Sequence, residues 1–192
     1  MKKVLIINGH PDPESLCTAL ADTYAKGAAK AGANPTVLHL SDKSFSPVLS
    51  FGYRKRTELE PYLLNAQALI KEASHLVFIY PTWWGTFPAL LKGFLDRILL
   101  PGFAFKYREN SLFWDKLLTN KTAHIITTMD TPSWYYRLIY RNAGITTFKK
   151  NILEFCGINP VKSTIISIVK TSSETQRLKW IDKIYRLGTE LK

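Results

Sequence analysis

Three short segments hold residue types that could bind a ligand and act on it. The first is Asn8-Gly9-His10-Pro11-Asp12-Pro13-Glu14-Ser15-Leu16-Cys17, which follows an apolar run and leads into an alanine-rich stretch. A helix N-terminus carries backbone N–H groups without intrahelical partners, and these favour a phosphate. His10 offers the same anion a ring N–H, and Ser15 offers a hydroxyl. Neither G-K-[ST] nor G-x-G-x-x-G is present, which excludes the two standard glycine-rich nucleotide loops. An ordinary proline-stiffened turn is the competing interpretation. The second segment, Tyr80-Pro81-Thr82-Trp83-Trp84-Gly85-Thr86-Phe87-Pro88-Ala89, sets two tryptophans side by side. Such a pair is costly to expose and hard to bury together. A planar aromatic ligand accounts for both by stacking, whereas core packing or a subunit interface accounts for either one alone. The third segment is Thr127-Thr128-Met129-Asp130-Thr131-Pro132-Ser133-Trp134-Tyr135-Tyr136. Its hydroxyls and backbone N–H groups suit the polar edge of a heteroaromatic ring, such as the pyrimidine end of an isoalloxazine. The alternative is a polar loop with a tyrosine pair in the core.

These segments need strands to position them. Val4 to Ile7, His75 to Tyr80 and Ala123 to Thr128 are continuous apolar or near-apolar runs that end in turn residues. Strands covered on both faces read this way. Thr36 to Leu40 and Val161 to Val169 supply two more strands. Between them lie helical stripes. Ser15 can cap a helix carrying Leu16, Leu20 and Tyr24 that stops at Gly32. Tyr62, Ala66, Leu69 and Ala73 form a second stripe. Pro88 opens a third helix with Leu91, Phe94, Leu95 and Ile98. Phe148, Ile152 and Phe155 mark a fourth, closed by Gly157. Ser173 and Gln176 form a capping box for a last helix carrying Leu178, Ile181 and Tyr185. Ser41 to Arg56 and Pro101 to Trp114 read as loops.

The resulting alternation predicts an α/β fold with a parallel sheet and helices on both faces. Five strands fit the flavodoxin-like order 2-1-3-4-5, a doubly wound sheet whose ligand lies at the switch point outside the strand ends. The ends of the first, third and fourth strands should converge there, and these carry the three segments. The length of 192 residues suits one domain, residues 1–192. With 46% hydrophobic residues the chain is globular. No apolar run approaches the roughly 20 residues of a membrane span. Val4 to Ile7 is too short for a signal-peptide core, so a cytoplasmic location is expected. Cys17 and Cys156 lie in no metal-ligand spacing and read as reduced, buried thiols. The net charge of +11 is spread along the chain without a nucleic-acid-binding signature. A positive field of this kind steers anionic substrates, a phosphorylated nicotinamide dinucleotide among them.

Taken together, the segments resemble the NAD(P)H:quinone oxidoreductase family of flavodoxin-like proteins, including the bacterial modulator-of-drug-activity type. The resemblance is carried by Gly9-His10-Pro11 with Ser15, by Pro81-Thr82-Trp83-Trp84, and by Pro88-Ala89-Leu90-Leu91-Lys92-Gly93 with Asp96-Arg97. Gly102-Phe103-Ala104-Phe105-Lys106-Tyr107 and Thr127-Thr128 also match. It runs from the first strand to the fourth helix. It implies noncovalent FAD or FMN, reduced by NAD(P)H, and two-electron transfer to a quinone-like acceptor in a homodimer. By position, His10, Ser15, Leu16 and Cys17 would border the flavin phosphate, and Pro81, Thr82, Trp83, Trp84 and Gly85 would wrap the ring. Thr127, Thr128, Met129 and Asp130 would meet its pyrimidine side. Phe105 and Tyr107 would reach the substrate pocket from the partner subunit, through a dimer contact at Pro101 to Trp114.

The chain departs from the pattern in places. The family often has Ser-Phe-Asn where Ser15-Leu16-Cys17 stands, and animal quinone reductases have a glycine pair where Met129-Asp130 stands. Those enzymes also place a tyrosine and a histidine beside the reduced ring. Tyr135 fits the tyrosine, and Arg141 falls near the histidine, so these two are the expected catalytic pair. Two other functions remain open: a one-electron flavodoxin-type carrier, and a flavin-binding regulatory subunit of a potassium-efflux transporter.

Overall fold

The computed structural model describes residues 1–42, 45–55 and 57–191. Part of the expected Ser41–Arg56 loop, at residues 43, 44 and 56, thus lies outside the described residues. Five parallel strands form the sheet: β1 (Lys3–Asn8), β2 (Asn34–His39), β3 (His75–Pro81), β6 (Thr122–Met129) and β7 (Val161–Ser167). Their order is β2-β1-β3-β6-β7, which is the expected 2-1-3-4-5 arrangement. Every residue of β3 is buried, as is nearly all of β1 and β6. Successive side chains serve opposite faces. Leu5, Ile7, Leu76, Phe78 and Ile125 point into one core, and Val4, Ile6, Val77, Ile79 and Ile126 into the other. That two-sided burial produces the continuous apolar runs. β2 and β7 are edge strands and are only partly buried. β2 starts two residues earlier than the periodicity predicts and includes Pro35. An edge tolerates a strand proline, because one N–H row there has no partner to lose.

Helices α2 (Pro61–Glu72) and α3 (Ala89–Ile98) cover the first core together with the helical run over 143–156. That run consists of α5 (Ala143–Thr146), a π-helical stretch Thr147–Leu153, and α6 (Glu154–Cys156). Helices α1 (Leu16–Lys30) and α7 (Glu174–Glu190) cover the second core. The expected α2 stripe faces the first core, with Ala66 and Ala73 buried and Tyr62 and Leu69 packed against it. One expected face is rotated: in α7, Leu178 is exposed, and Ile184 and Gly188 are buried instead. The reason is a glycine crossing. A Cβ on Gly188 would lie 2.4 Å from the Tyr24 carbonyl oxygen, and one on Gly27 2.3 Å from that of Tyr185. The two backbones touch, so the contact needs no wide apolar stripe.

The expected Pro101–Trp114 loop contains a hairpin of β4 (Phe105–Tyr107) and β5 (Trp114–Lys116). Trp114 stacks on Phe155 at 4.3 Å, and its indole N–H donates to the Phe155 carbonyl at 2.9 Å. These contacts hang the hairpin on α6. Among the described residues, no helix is long and apolar enough to cross a membrane.

At the N-terminal edge of the sheet, His75 is buried between the Tyr24 hydroxyl (3.1 Å from Nε2) and the Thr122 hydroxyl (2.6 Å from Nδ1). Burial pushes its pKa down to about 4, with Lys2, His124 and Lys162 adding repulsion. The neutral ring is therefore the folded form. The associated stability is complete above the unfolded-state value of about 6.5 and is lost as pH falls towards 4. Between pH 6.5 and 5 the unfolding free energy should fall by about 1.5 kcal/mol, approaching the limiting slope of about 1.4 kcal/mol per pH unit at the acid end. Urea titrations across that range measure this loss, and His75→Gln should flatten the dependence.

Candidate active site at the strand ends

The site is built around Asn8, the last residue of β1, which has no exposed surface. Its Oδ1 accepts the His10 backbone N–H at 3.1 Å. Its Nδ2 faces the Thr18 hydroxyl at 3.0 Å and His39 Nδ1 at 3.1 Å. One carboxamide thus ties the turn, α1 and the end of β2 together. Nothing in the apolar pattern singled it out. The signal was an asparagine closing a buried strand, where Asn characteristically bonds the backbone two residues on.

The turn then builds itself residue by residue. The Asp12 N–H donates to His10 Nδ1 at 3.0 Å, and the Glu14 N–H to Asp12 Oδ1 at 2.9 Å. Ser15 caps α1 by accepting the Thr18 N–H on its Oγ. With Nδ1 accepting, the neutral His10 ring carries its proton on Nε2. Partial burial lowers its pKa, against an opposing pull from Asp12. His10 therefore presents a neutral N–H donor beside the free N–H groups at the start of α1, where Leu16 and Cys17 form the first turn. The Cys17 side chain is buried, with Sγ 3.6 Å from the Thr128 hydroxyl. Burial pushes its thiol pKa up to about 11, so it joins α1 to β6 and is no thiolate nucleophile.

Residues 83–86 form a tight reverse turn. Trp83 and Thr86 exchange both backbone hydrogen bonds, at 2.8 and 3.0 Å, with Trp84 at φ 53° and Gly85 at φ 76°. Two consecutive positive φ values are the mark of a type I′ turn, and a tryptophan in that region is strained. Trp84 is fully exposed and Trp83 is 45% exposed. Neither tryptophan is used in the core. Trp83 meets the His10 ring edge-on at 5.6 Å, which brings the first two segments together. The third segment joins them through Thr82. Its N–H donates to the Thr128 carbonyl at 2.7 Å, and its hydroxyl pairs with that of Thr127 at 2.6 Å. The hydroxyls of Thr127 and Thr128 are thus engaged within the protein. Pro81 is the buried last residue of β3, Met129 is buried, and the Asp130 carboxylate accepts the Lys170 N–H at 2.7 Å.

The expected loop after β6 contains a short helix, α4 (Ser133–Leu138). Its Tyr136 is 1% exposed and donates its hydroxyl to the Gly85 carbonyl at 3.1 Å. Gly144 closes the same contact, since a Cβ there would lie 2.3 Å from the Gly85 oxygen. Tyr135 is 37% exposed and lies edge-on to Trp134 and Tyr140. Among the described residues its hydroxyl has no hydrogen-bond partner. Arg141 is exposed, with a left-handed φ of 49°, and makes no ion pair among them. Phe105 and Tyr107 are not brought to the strand ends of this chain. They line an apolar cavity of about 540 Å³ with Leu95, Leu99, Ile152 and Phe155. Within the expected contact region, Phe105 is buried and Trp114 half-buried, so the exposed apolar surface is that of Tyr107, Leu112 and Phe113.

A family described as having a flavodoxin-like fold matches residues 2–187. The chain belongs to that family. It is 27% identical over 218 residues to the rat ribosyldihydronicotinamide dehydrogenase [quinone], covering 98% of this chain and 93% of that one. Among solved structures it is similar to Smu.1420 from Streptococcus mutans UA159, at 30% identity and TM-score 0.83, covering 98% and 99% of the two chains. An FMN-dependent NADH-azoreductase from Bacillus anthracis, solved with FMN, shares the fold at 20% identity and TM-score 0.73, covering 100% and 99%.

The Tyr136 contact yields a test of how the tryptophan turn is held. Tyr136→Phe should cost about 1 kcal/mol, the typical worth of one hydrogen bond. Amide exchange at Trp83 and Thr86 should then quicken by about fivefold, while amides of β1 keep their protection.

Proposed function

We propose that the protein is a homodimeric, flavin-dependent NAD(P)H oxidoreductase. In this reading it passes two electrons to a quinone or similar aromatic acceptor in the cytoplasm, and residues 1–192 form a single flavin-binding domain. The observation that carries the reading is the bonding of three strand-end turns to one another, with His10 against Trp83 at 5.6 Å and Thr82 against Thr127 at 2.6 Å. One end of this arrangement offers donors to an anion, and the other offers exposed aromatic faces. That donor set fits the phosphate and the ring of a bound FMN or FAD.

The flavin supplies the redox chemistry, taking hydride from the reduced nicotinamide and returning two electrons to the acceptor. The chain's own residues bind and orient. The first-turn N–H groups of Leu16 and Cys17, the Ser15 hydroxyl and His10 Nε2–H hold the phosphate. Pro81, Thr82, Trp83, Trp84 and Gly85 hold the ring, and backbone groups of Thr127 to Asp130 face its polar edge. Tyr135 and Arg141 serve where negative charge grows on reduction. A donor that strengthens only as charge develops raises the rate without tightening the ground state. Phe105 and Tyr107 enter the acceptor pocket from the partner subunit.

Flavin-loaded protein should oxidise NADH or NADPH with a quinone acceptor, and absence of turnover with both donors would overturn the reading. Tyr135→Phe should slow flavin reduction in stopped-flow by roughly 10- to 100-fold, about 1.4–2.8 kcal/mol, with flavin affinity unchanged. Sedimentation at micromolar concentration should give a dimer. The double variant Tyr107→Glu/Phe113→Glu should sediment as a monomer, because it places charge in the exposed apolar surface.

A further inference from the structure

A second cavity lies beside the site, at the β7 edge of the sheet. Its volume is about 270 Å³. Arg137 of α4 borders it, with Lys149 and Lys150 of the π-helical stretch, and Asn142, Thr146 and Ser163 supply neutral polar groups. Among the described residues, no carboxylate is part of the lining. The Glu154 carboxylate pairs with the Lys149 ammonium at 3.9 Å, and among the described residues Arg137 and Lys150 make no ion pair. Three cations around one concavity repel one another unless an anion joins them. One lining group is also unsatisfied: among the described residues, the buried Asn142 Oδ1 has no hydrogen-bond partner. An amide's two ends are interchangeable in shape, so the same side chain can present its NH₂ group to an anion.

The position relative to the flavin site is fixed by the sheet and by α4. Ile165, on the cavity wall, sits in register with Thr127 on the neighbouring strand. Adjacent strands are about 4.8 Å apart, so the cavity begins one strand away from the third ligand-facing turn. Consecutive residues of α4 serve the two places, Tyr136 holding the Gly85 turn and Arg137 facing the cavity. The volume suits a phosphate and part of a sugar, and is too small for a whole nucleotide.

We infer that this cavity is a phosphate-monoester site that receives the ribose 2′-phosphate of NADPH. It would thereby select NADPH over NADH and over donors that lack a phosphate. The assignment rests on the oxidoreductase reading above. Lys149 and Lys150 hold the phosphate by charge, Arg137 offers a planar fork to two of its oxygens, and Thr146 and Ser163 add hydroxyl donors.

The test is calorimetric titration of the flavin-loaded protein with NADP⁺ and NAD⁺, which differ only in that phosphate. NADP⁺ should bind about 10-fold or more tightly than NAD⁺, the gain of about one charge-assisted contact. In Lys149→Gln/Lys150→Gln the two should bind within about twofold of each other, with NAD⁺ affinity and NADH turnover unchanged. Inorganic phosphate should compete with NADP⁺ and leave NAD⁺ binding unaffected. Equal affinities in the unsubstituted protein, with flavin bound and NADH oxidised, overturn this inference and leave the oxidoreductase reading intact. Phosphate binding that depends on Lys149 and Lys150 but discriminates nothing between the dinucleotides also overturns it. Failure to bind flavin overturns both.

Discussion

A single buried carboxamide, that of Asn8, is the constraint on which the site depends. A polar side chain without exposed surface is tolerated only when its hydrogen-bonding capacity is used, and Asn8 uses both ends. Through them it sets the direction in which the chain leaves β1, the seating of α1 through Thr18, and the end of β2 through His39. The remaining contacts follow in sequence. His10 is turned so that Nδ1 accepts the Asp12 N–H, which leaves Nε2–H without a partner among the described residues and lays the ring edge against Trp83. Removing the amide would take a partner from the His10 N–H, the Thr18 hydroxyl and the His39 ring, all partly buried, at about 1 kcal/mol for each hydrogen bond lost.

The second and third turns are locked by different means. The tryptophan turn is strained, with positive φ at Trp84 and Gly85. It persists because Tyr136 and Gly144 close on the Gly85 carbonyl and Thr82 bonds to β6. Core-side bonds thus hold the backbone while the tryptophan side chains stay in solvent. A protein that needed Trp83 and Trp84 for its own stability would bury them. Backbone held rigid behind open aromatic faces is what a stacking ligand requires, since little ordering is left to be done on binding. The buried, weakly acidic Cys17 belongs to the same framework, joining the α1 end to Thr128.

Much of this was legible in the amino-acid sequence where local pattern and tertiary demand agree. β1, β3 and β6 are covered on both faces and so appear as apolar runs, which fixed the strand order and the turns that had to meet. Legibility failed where a few residues act through distant partners. β4 and β5 are three residues each, too short for a period, and depend on Trp114 stacking with Phe155. α4 is six residues long, and its aromatic content read as a loop. The α7 face does not follow its apolar stripe because its contact with α1 runs through Gly27 and Gly188 rather than through large apolar side chains. Within the site, Tyr135 drew notice for its type and place, yet its neighbour Tyr136 holds the turn. Adjacent helical residues point about 100° apart, and no local pattern says which of two tyrosines faces inwards.

We propose that the turns after β1, β3 and β6 are three walls of one flavin site. Amide-resolved NMR of the flavin-free protein titrated with FMN, and separately with FAD, tests it most directly. Shifts should concentrate at Gly9, His10, Leu16 and Cys17, at Trp83 to Gly85, and at Thr128 to Asp130, all titrating with one dissociation constant. Shifts confined to one of these turns, or found only around the Phe105 and Tyr107 cavity, would contradict it.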